Sequence, residues 1–219
     1  MEYFLLYSGG VENYQKDFDT VSQEWVDGLR QFHTLRGMLA FPRNTDTIDN
    51  DYARTLFINK KAAMILEGNW FFSAVEDQEN TVVVPFPGLE NSPVHETVMV
   101  GGMTSGFYIT RRAWNDPDKR DAAVKYVMAQ TSKEAVQRYW EHGGGITTTA
   151  TAVEDDMDRT PLAKSARKYV ESADRIVLPT DSRMQPYAYK TLISGIFEVS
   201  TGADPRALLQ KVLEQNTAQ

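Results

Sequence analysis

Cysteine is absent from the 219 residues. That removes disulfides, zinc–thiolate centres and thiol nucleophiles together. It leaves the compartment undecided, because exported and cytosolic proteins alike do without it. Long apolar runs are missing too: stretches such as Ala62-Ala63-Met64-Ile65-Leu66 fall far short of the ~20 residues that cross a bilayer as a helix. Positive charge is in deficit. The 23 Lys and Arg against 30 Asp and Glu leave a net charge of −7, which repels phosphate backbones and argues against a nucleic-acid partner. No basic amphipathic stretch offers itself to an anionic membrane surface. The histidines, His33, His95 and His142, stand far apart at no metal-ligand spacing. Met1-Glu2-Tyr3-Phe4 has neither a cationic n-region nor a long h-region, so an export signal is not in these residues.

What is present is a globular composition, 42% hydrophobic and 24% charged. Helical and strand-like segments alternate, which predicts an α/β fold. A first helix is expected over about 21–36, capped by Thr20 with Gln23 in a capping box and stopped by Gly37. Trp25, Leu29, Phe32 and Leu35 form its apolar stripe. A second is expected over about 51–58. Asp116-Pro117, Thr160-Pro161 and Asp204-Pro205 each pair a cap residue with proline at the first helical position. Ser132 caps a further helix, and a long one is expected over about 185–201, with Leu192, Ile193, Ile196 and Phe197 inward and Gly202 at its end. Short strands are expected at 61–66, 81–86, 97–100 and 107–110.

Catalytic motifs do not assemble. Gly101–Gly106 lacks the Lys-Ser/Thr of a P-loop, and Gly143-Gly144-Gly145 fails the strand–turn–helix context of a dinucleotide fingerprint. Glu154-Asp155-Asp156-Met157-Asp158 lacks the turn glycine of a calcium loop, and no G-x-S-x-G elbow exists. Two distant carboxylates could in principle cleave a glycoside, as in any acidic chain, which keeps a carbohydrate-active enzyme as the alternative. A third reading is an interaction module without a small ligand.

Aromatics are plentiful, at 11% with 4 Trp and 10 Tyr. Trp25, Trp114 and Trp140 sit in or near helix patterns and read as packing. Tyr3 and Phe4 at the start, Trp70 after the Gly68-Asn69 turn, and Tyr187 and Tyr189 in the first turn of the long helix lie instead at element ends, where ligand contacts concentrate. A flat aromatic face matches the apolar face of a pyranose ring at low entropic cost.

Phe57-Ile58-Asn59-Lys60-Lys61-Ala62-Ala63-Met64-Ile65-Leu66-Glu67-Gly68-Asn69-Trp70 resembles the F-x-x-G-K-A-A-M-x-x-x-G-x-W signature of the family-1 extracellular solute-binding proteins of ABC importers, the maltose-binding-protein-like group. Lys60 stands where glycine is usual. Pro85-Phe86-Pro87-Gly88 is similar to the family's P-x-P stretch, Gly101-Gly102 to its crossing between lobes, and the segments from Phe107 through Gly202-Ala203-Asp204-Pro205 follow its order. The resemblance implies a periplasmic-binding-protein-like (type II) α/β fold. Residues 1–102 and 152–219 would form the C-terminal lobe, and 103–151 part of an N-terminal lobe otherwise missing, so the chain reads as a C-terminal portion. It implies a carbohydrate-binding, non-enzymatic component of sugar transport, with no cofactor or metal. Glu2, Tyr3 and Phe4 would match the aromatic ligand segment, Trp70 the stacking tryptophan, and Tyr189 the late-helix aromatic with Tyr187 as register alternative. Gly102 and Met103 would present backbone groups at the crossing. The implied partners are a sugar and, for the whole protein, membrane permease subunits; the implied location is the periplasm or, as a lipoprotein, the cell surface. Phe107, Ile109, Tyr126, Val127 and Trp140, lacking most of their lobe, would turn to the main lobe or to a second copy of the chain.

Overall fold

The computed structural model describes all residues except 43, 102–105, 144–159 and 219, and of residues 46 and 140–143 it describes the backbone alone. In chain order the elements are α1 (Glu2–Gln15), α2 (Gln23–Gly37), α3 (Asn50–Ile58), β1 (Val98–Val100), α4 (Arg111–Trp114), α5 (Pro117–Gln130), α6 (Lys133–Gly143), α7 (Pro161–Ser172), β2 (Arg175–Val177), α8 (Pro186–Ser200) and α9 (Pro205–Thr217). The described residues are therefore mostly helical, with one small sheet. Two compact units emerge. The first comprises Met1–Asp49, Pro85–Gly102 and Ser172–Gln219, the second Asn50–Val84 and Met103–Glu171.

The cap-plus-proline starts hold. Asp116 accepts from the Asp118 N–H and Asp204 from the Arg206 N–H, while Thr160 accepts from the Ala163 N–H. Ser132 likewise accepts from Ala135 N–H at the start of α6. At α2 the cap is Ser22, the residue directly before the first helical residue Gln23, and its Oγ takes the Trp25 N–H at 3.2 Å; the expected cap, Thr20, lies two residues further out, beyond the Ncap position.

The stop of α2 also differs from expectation. Gly37 ends the helix, but the left-handed residue is Leu39, at φ 59°. Leu39 N–H donates to the Arg36 carbonyl and Ala40 N–H to that of Leu35, the paired bonds of a Schellman motif. α3 closes the same way. Lys60 sits at φ 57°, its N–H on the Phe57 carbonyl and the Lys61 N–H on that of Leu56. The position where the signature usually has glycine is thus a left-handed helix stop, here occupied by lysine.

In the first unit α1 is buried nearly all round its first half, with Tyr3, Phe4, Leu5, Leu6 and Tyr7 all inside. Gly10, at φ 79°, kinks it. α1 packs on α2, α2 on α8, and α8 on α9. Leu5, Leu6, Tyr14, Val26, Leu29, Leu192, Leu209 and Val212 are fully buried at the centre. On α8, Ala188, Leu192, Gly195 and Val199 face inward, a helical spacing that leaves Ile193, expected inside, 45% exposed. β1 and β2 pair in parallel, Val98 opposite Arg175 and Val100 opposite Val177.

The second unit is held by a smaller cluster: Phe71, Val75 and Leu162, with Phe57, Ile65, Phe72 and Val83 against it. Three expected strands do not form. Residues 61–66, 81–86 and 107–110 carry no ladder. β-Branched runs become strands only where a neighbour supplies the hydrogen bonds. At Val83 the partner is instead the Ser165 hydroxyl of α7, which accepts from the Val83 N–H at 2.7 Å and donates to its carbonyl at 3.1 Å. Trp25 is buried as a packing residue, while Trp114, expected to pack, is 51% exposed beneath the Arg120 guanidinium. The side chain of Trp140 lies outside the described residues.

Candidate functional site

Trp70 begins from the exit of α3. The left-handed stop at Lys60 turns the chain out of the helix, and Lys60 Nζ reaches Asp77 at 2.5 Å. Residues 61–68 then run without regular structure to a short 3₁₀ helix, Asn69–Ala74. Its cap position is Gly68, not the expected Asn69, and no side chain caps it. Phe71, one residue on, is buried in the unit's core. Trp70 itself is 56% exposed.

The exposed indole is nonetheless held. Its Nε1–H donates to Glu67 Oε1 at 2.6 Å, and the Gly68 N–H donates to the same oxygen at 3.1 Å. Arg54 Nε, from α3, donates to Glu67 Oε2 at 2.9 Å. Arg54 also pairs with Asp51 at 3.2 Å and lies over the Phe71 ring at 5.9 Å. Burial alone would push the Glu67 carboxyl up. The Arg54 guanidinium, the Gly68 N–H and the indole N–H outweigh it and hold Glu67 below the usual carboxylate range. The six-membered ring of the indole occupies the space that a Cβ at Gly68 would need. Glu67 and Arg54 were not among the residues singled out from sequence. The Asp51–Arg54 spacing of three on a helix was the visible signal for part of the network, whereas the Glu67 contacts depend on the turn.

The other sequence-based candidates lie in the first unit, where the surroundings are different. Tyr3 is 7% exposed and stacks on Phe86 at 4.8 Å between ring centroids. Its hydroxyl accepts from the Val100 N–H at 3.2 Å. Phe4, also 7% exposed, meets Phe32 and Phe86 edge-on. Glu2 is half-buried and fully engaged: Oε2 takes the Tyr14 hydroxyl at 2.5 Å and the Thr180 N–H at 3.2 Å, and Oε1 takes the Thr180 hydroxyl at 2.7 Å. Burial, with Glu2 beside it, pushes the Tyr14 hydroxyl far above its ordinary range. Tyr189 is partly buried against the main core. Burial, followed by the Glu2 and Asp181 charges, pushes its hydroxyl up to about 12. Tyr187, two residues earlier, is exposed over most of its surface. The structure thus brings Glu2, Tyr3 and Phe4 into packed and hydrogen-bonded positions and leaves Tyr187 and Trp70 open to solvent. Gly102 and Met103 lie outside the described residues. Among the described residues no three His, Asp or Glu side chains gather as a metal site, and no helix is long and apolar enough to cross a membrane.

The family profile of the bacterial extracellular solute-binding proteins matches residues 1–165. No curated protein matches the chain by sequence. Among solved structures, one described as a chitin oligosaccharide binding protein aligns with a TM-score of 0.78 at 18% identity, over 99% of this chain and 56% of that one. A structure from work on xylan utilization by the thermophilic bacterium Caldanaerobius polysaccharolyticus gives 0.71 at 20% identity, over 97% and 57%. A Streptococcus pneumoniae solute-binding protein in complex with the blood group A-trisaccharide gives 0.71 at 16%, over 97% and 55%. The chain spans a little over half the length of these structures, and at such identities the likeness is one of fold.

Proposed function

The chain belongs to the bacterial extracellular solute-binding proteins, and from that premise we propose that it binds an oligosaccharide as the substrate-binding component of an ABC importer. The family is one of binding proteins, not of enzymes, and is extracellular by description. The observation that carries the sugar reading is Trp70: a large aromatic ring, 56% exposed, fixed at a turn by the hydrogen bond its N–H donates to Glu67. A solvent-facing indole of this kind suits the apolar face of a pyranose. The described ligands of two structural neighbours, a chitin oligosaccharide and a blood group trisaccharide, belong to the same chemical class.

Trp70 is assigned the stacking role in the second unit. In the first, Tyr189 is proposed, partly buried against the main core, with Tyr187 as the register alternative offering an exposed ring. Glu2, Tyr3 and Phe4 stay in the proposed set on the resemblance, although they are packed or hydrogen-bonded within the first unit, Glu2 by tying the 180–182 turn to α1. Gly102 and Met103 remain in the set on the resemblance alone. The lobe assignment, 1–102 with 152–219 and 103–151 apart, is likewise a proposal about the whole protein, as are its docking to membrane permease subunits and its place in the periplasm or, lipid-tethered, on the cell surface. In such proteins a ligand acts through its differential affinity for a closed state.

The test is a tryptophan-fluorescence titration of the chain with chitotetraose, xylotetraose and the blood group A trisaccharide, followed by chromatography of the sugar. Weak, saturable quenching that Trp70→Ala removes, with the sugar recovered intact, is the expected result. Binding undiminished by Trp70→Ala, or no response to any of the three sugars, overturns the reading, and release of shortened sugars replaces it with an enzyme.

A further inference from the structure

The geometry points to Glu67 as the positioning residue of Trp70: its carboxylate, anchored by Arg54, grips the indole N–H and sets how the ring is presented to a sugar. This rests on the reading of Trp70 as a stacking surface and adds to it a residue that no signature position supplied.

An exposed tryptophan left to itself rotates about two side-chain bonds. A ligand that stacks on it must first freeze that motion, and the loss is charged against affinity. Here the ring is frozen beforehand by two independent restraints. At its edge, the N–H is bonded to Glu67 Oε1. At its benzo end, the ring fills the volume above Gly68 that any side chain there would claim. Gly68 is in ordinary extended backbone, φ −94° and ψ 170°, so the absent side chain serves the ring and not the turn.

Glu67 is in turn unable to drift. Oε1 holds both the indole and the Gly68 N–H, and Oε2 holds Arg54. Arg54 rests over Phe71, which is buried in the unit's core. A line of contacts therefore runs from the core, through a guanidinium and a carboxylate, to the edge of the exposed ring. With its side chain only 15% exposed and its oxygens engaged by three donors, Glu67 is placed to orient the indole and not to receive sugar hydroxyls itself.

The experiment follows the indole N–H directly in ¹H–¹⁵N spectra of the 219-residue chain, with the Trp70 signal identified by its loss in Trp70→Phe. In the wild type that signal should move as acid protonates the carboxylate. In Glu67→Gln it should sit at a different shift at neutral pH and lose the acid-dependent movement, while the other indole signals stay in place. Gly68→Ala, which leaves both partners chemically intact, should displace the same signal by pushing the ring aside. Both variants should weaken chitotetraose binding by about two- to tenfold, the range expected when one side chain must be ordered on binding. A Trp70 signal unmoved in Glu67→Gln overturns the proposal, and so does a moved signal with unchanged affinity in both variants. Should Trp70→Ala leave chitotetraose binding intact, the stacking reading fails, and the spectra still report separately whether Glu67 holds the ring.

Discussion

Replacing Leu39 by glycine should make the protein more stable. Leu39 occupies the left-handed region at φ 59° while being 75% exposed. A non-glycine residue there carries about 1–2 kcal/mol of strain from its Cβ against the neighbouring carbonyl. Glycine removes that strain, yet it has more freedom to lose on folding, an offset of roughly 0.5–1 kcal/mol. With so much of the side chain in water, little burial is forfeited. The net gain is then ~0.5–1 kcal/mol, equivalent to a rise of about 1–4 °C in Tm for a chain of this size. Lys60→Gly is the internal comparison. It relieves the same strain at φ 57°, but it also removes the lysine that pairs with Asp77, so its gain should be the smaller of the two. Urea unfolding of the chain and of each variant, compared at equal slope, is the measurement. A Leu39→Gly protein whose midpoint stays or falls would falsify the assignment of Leu39 as a strained helix stop.

Other perturbations follow from the same contacts. Tyr14→Phe keeps the ring under Arg183 and beside Trp25 but deletes the donor to Glu2 Oε2; a loss of about 1–3 kcal/mol is expected in urea unfolding, and an unchanged midpoint would contradict the bond. Leu192→Ala empties a fully buried site on α8 and should cost about 2–5 kcal/mol; a cost near zero would mean that α8 is not packed as described. Glu67 is held below its ordinary range by Arg54, Gly68 and Trp70, so its contribution is complete above the unfolded carboxylate pKa and disappears as pH falls through the lower folded value; Glu67→Gln should flatten that acid limb of stability, and an identical acid profile would refute it. Met64, Leu66, Val82, Val84, Tyr108 and Met128 of the second unit are all at least 64% exposed, and so much apolar surface favours self-association. Sedimentation velocity should show mass rising with concentration, and a monomer throughout the micromolar range would count against it.

Helix starts were legible from sequence wherever a short polar cap preceded proline, as at Asp116, Thr160 and Asp204, because both residues act locally and need no tertiary partner. Membership of the solute-binding family was legible as well, through the resemblance carried by residues 57–70. Helix α1 was not. Tyr3 to Tyr7 are buried on every side, so no amphipathic stripe marks them, and Ser8-Gly9-Gly10 interrupts what pattern there is. β2 is three residues long and exists only through β1, more than seventy residues away in the chain. The reverse error arose at 81–86, where β-branched composition suggested a strand and a hydroxyl from α7 took the backbone bonds instead. Trp70 was legible as a residue at a turn, while the grip of Glu67 on its N–H was not, since it depends on where a carboxylate three residues earlier is pinned by α3.

Tyr3 and Trp70 show why residue type at an element end cannot by itself assign a contact. Both are amphipathic rings with one polar handle, and both handles are satisfied by the protein, by the Val100 N–H in one case and Glu67 in the other. What separates them is the fate of the ring faces. Tyr3 has Phe86 stacked on it and 7% of its surface in water; its hydrogen bond completes a packed core, and the burial of the ring supplies the stability. Trp70 keeps 56% of its surface in solvent. Its hydrogen bond therefore orders a ring that gains little from burial, and ordering an exposed side chain opposes folding on its own account. A network of three residues that restrains the motion of a surface ring yields little for the folded state, but it lowers the entropic cost for whatever lands on that ring. On that comparison Trp70 ranks ahead of Tyr3 as the aromatic on which a sugar would stack.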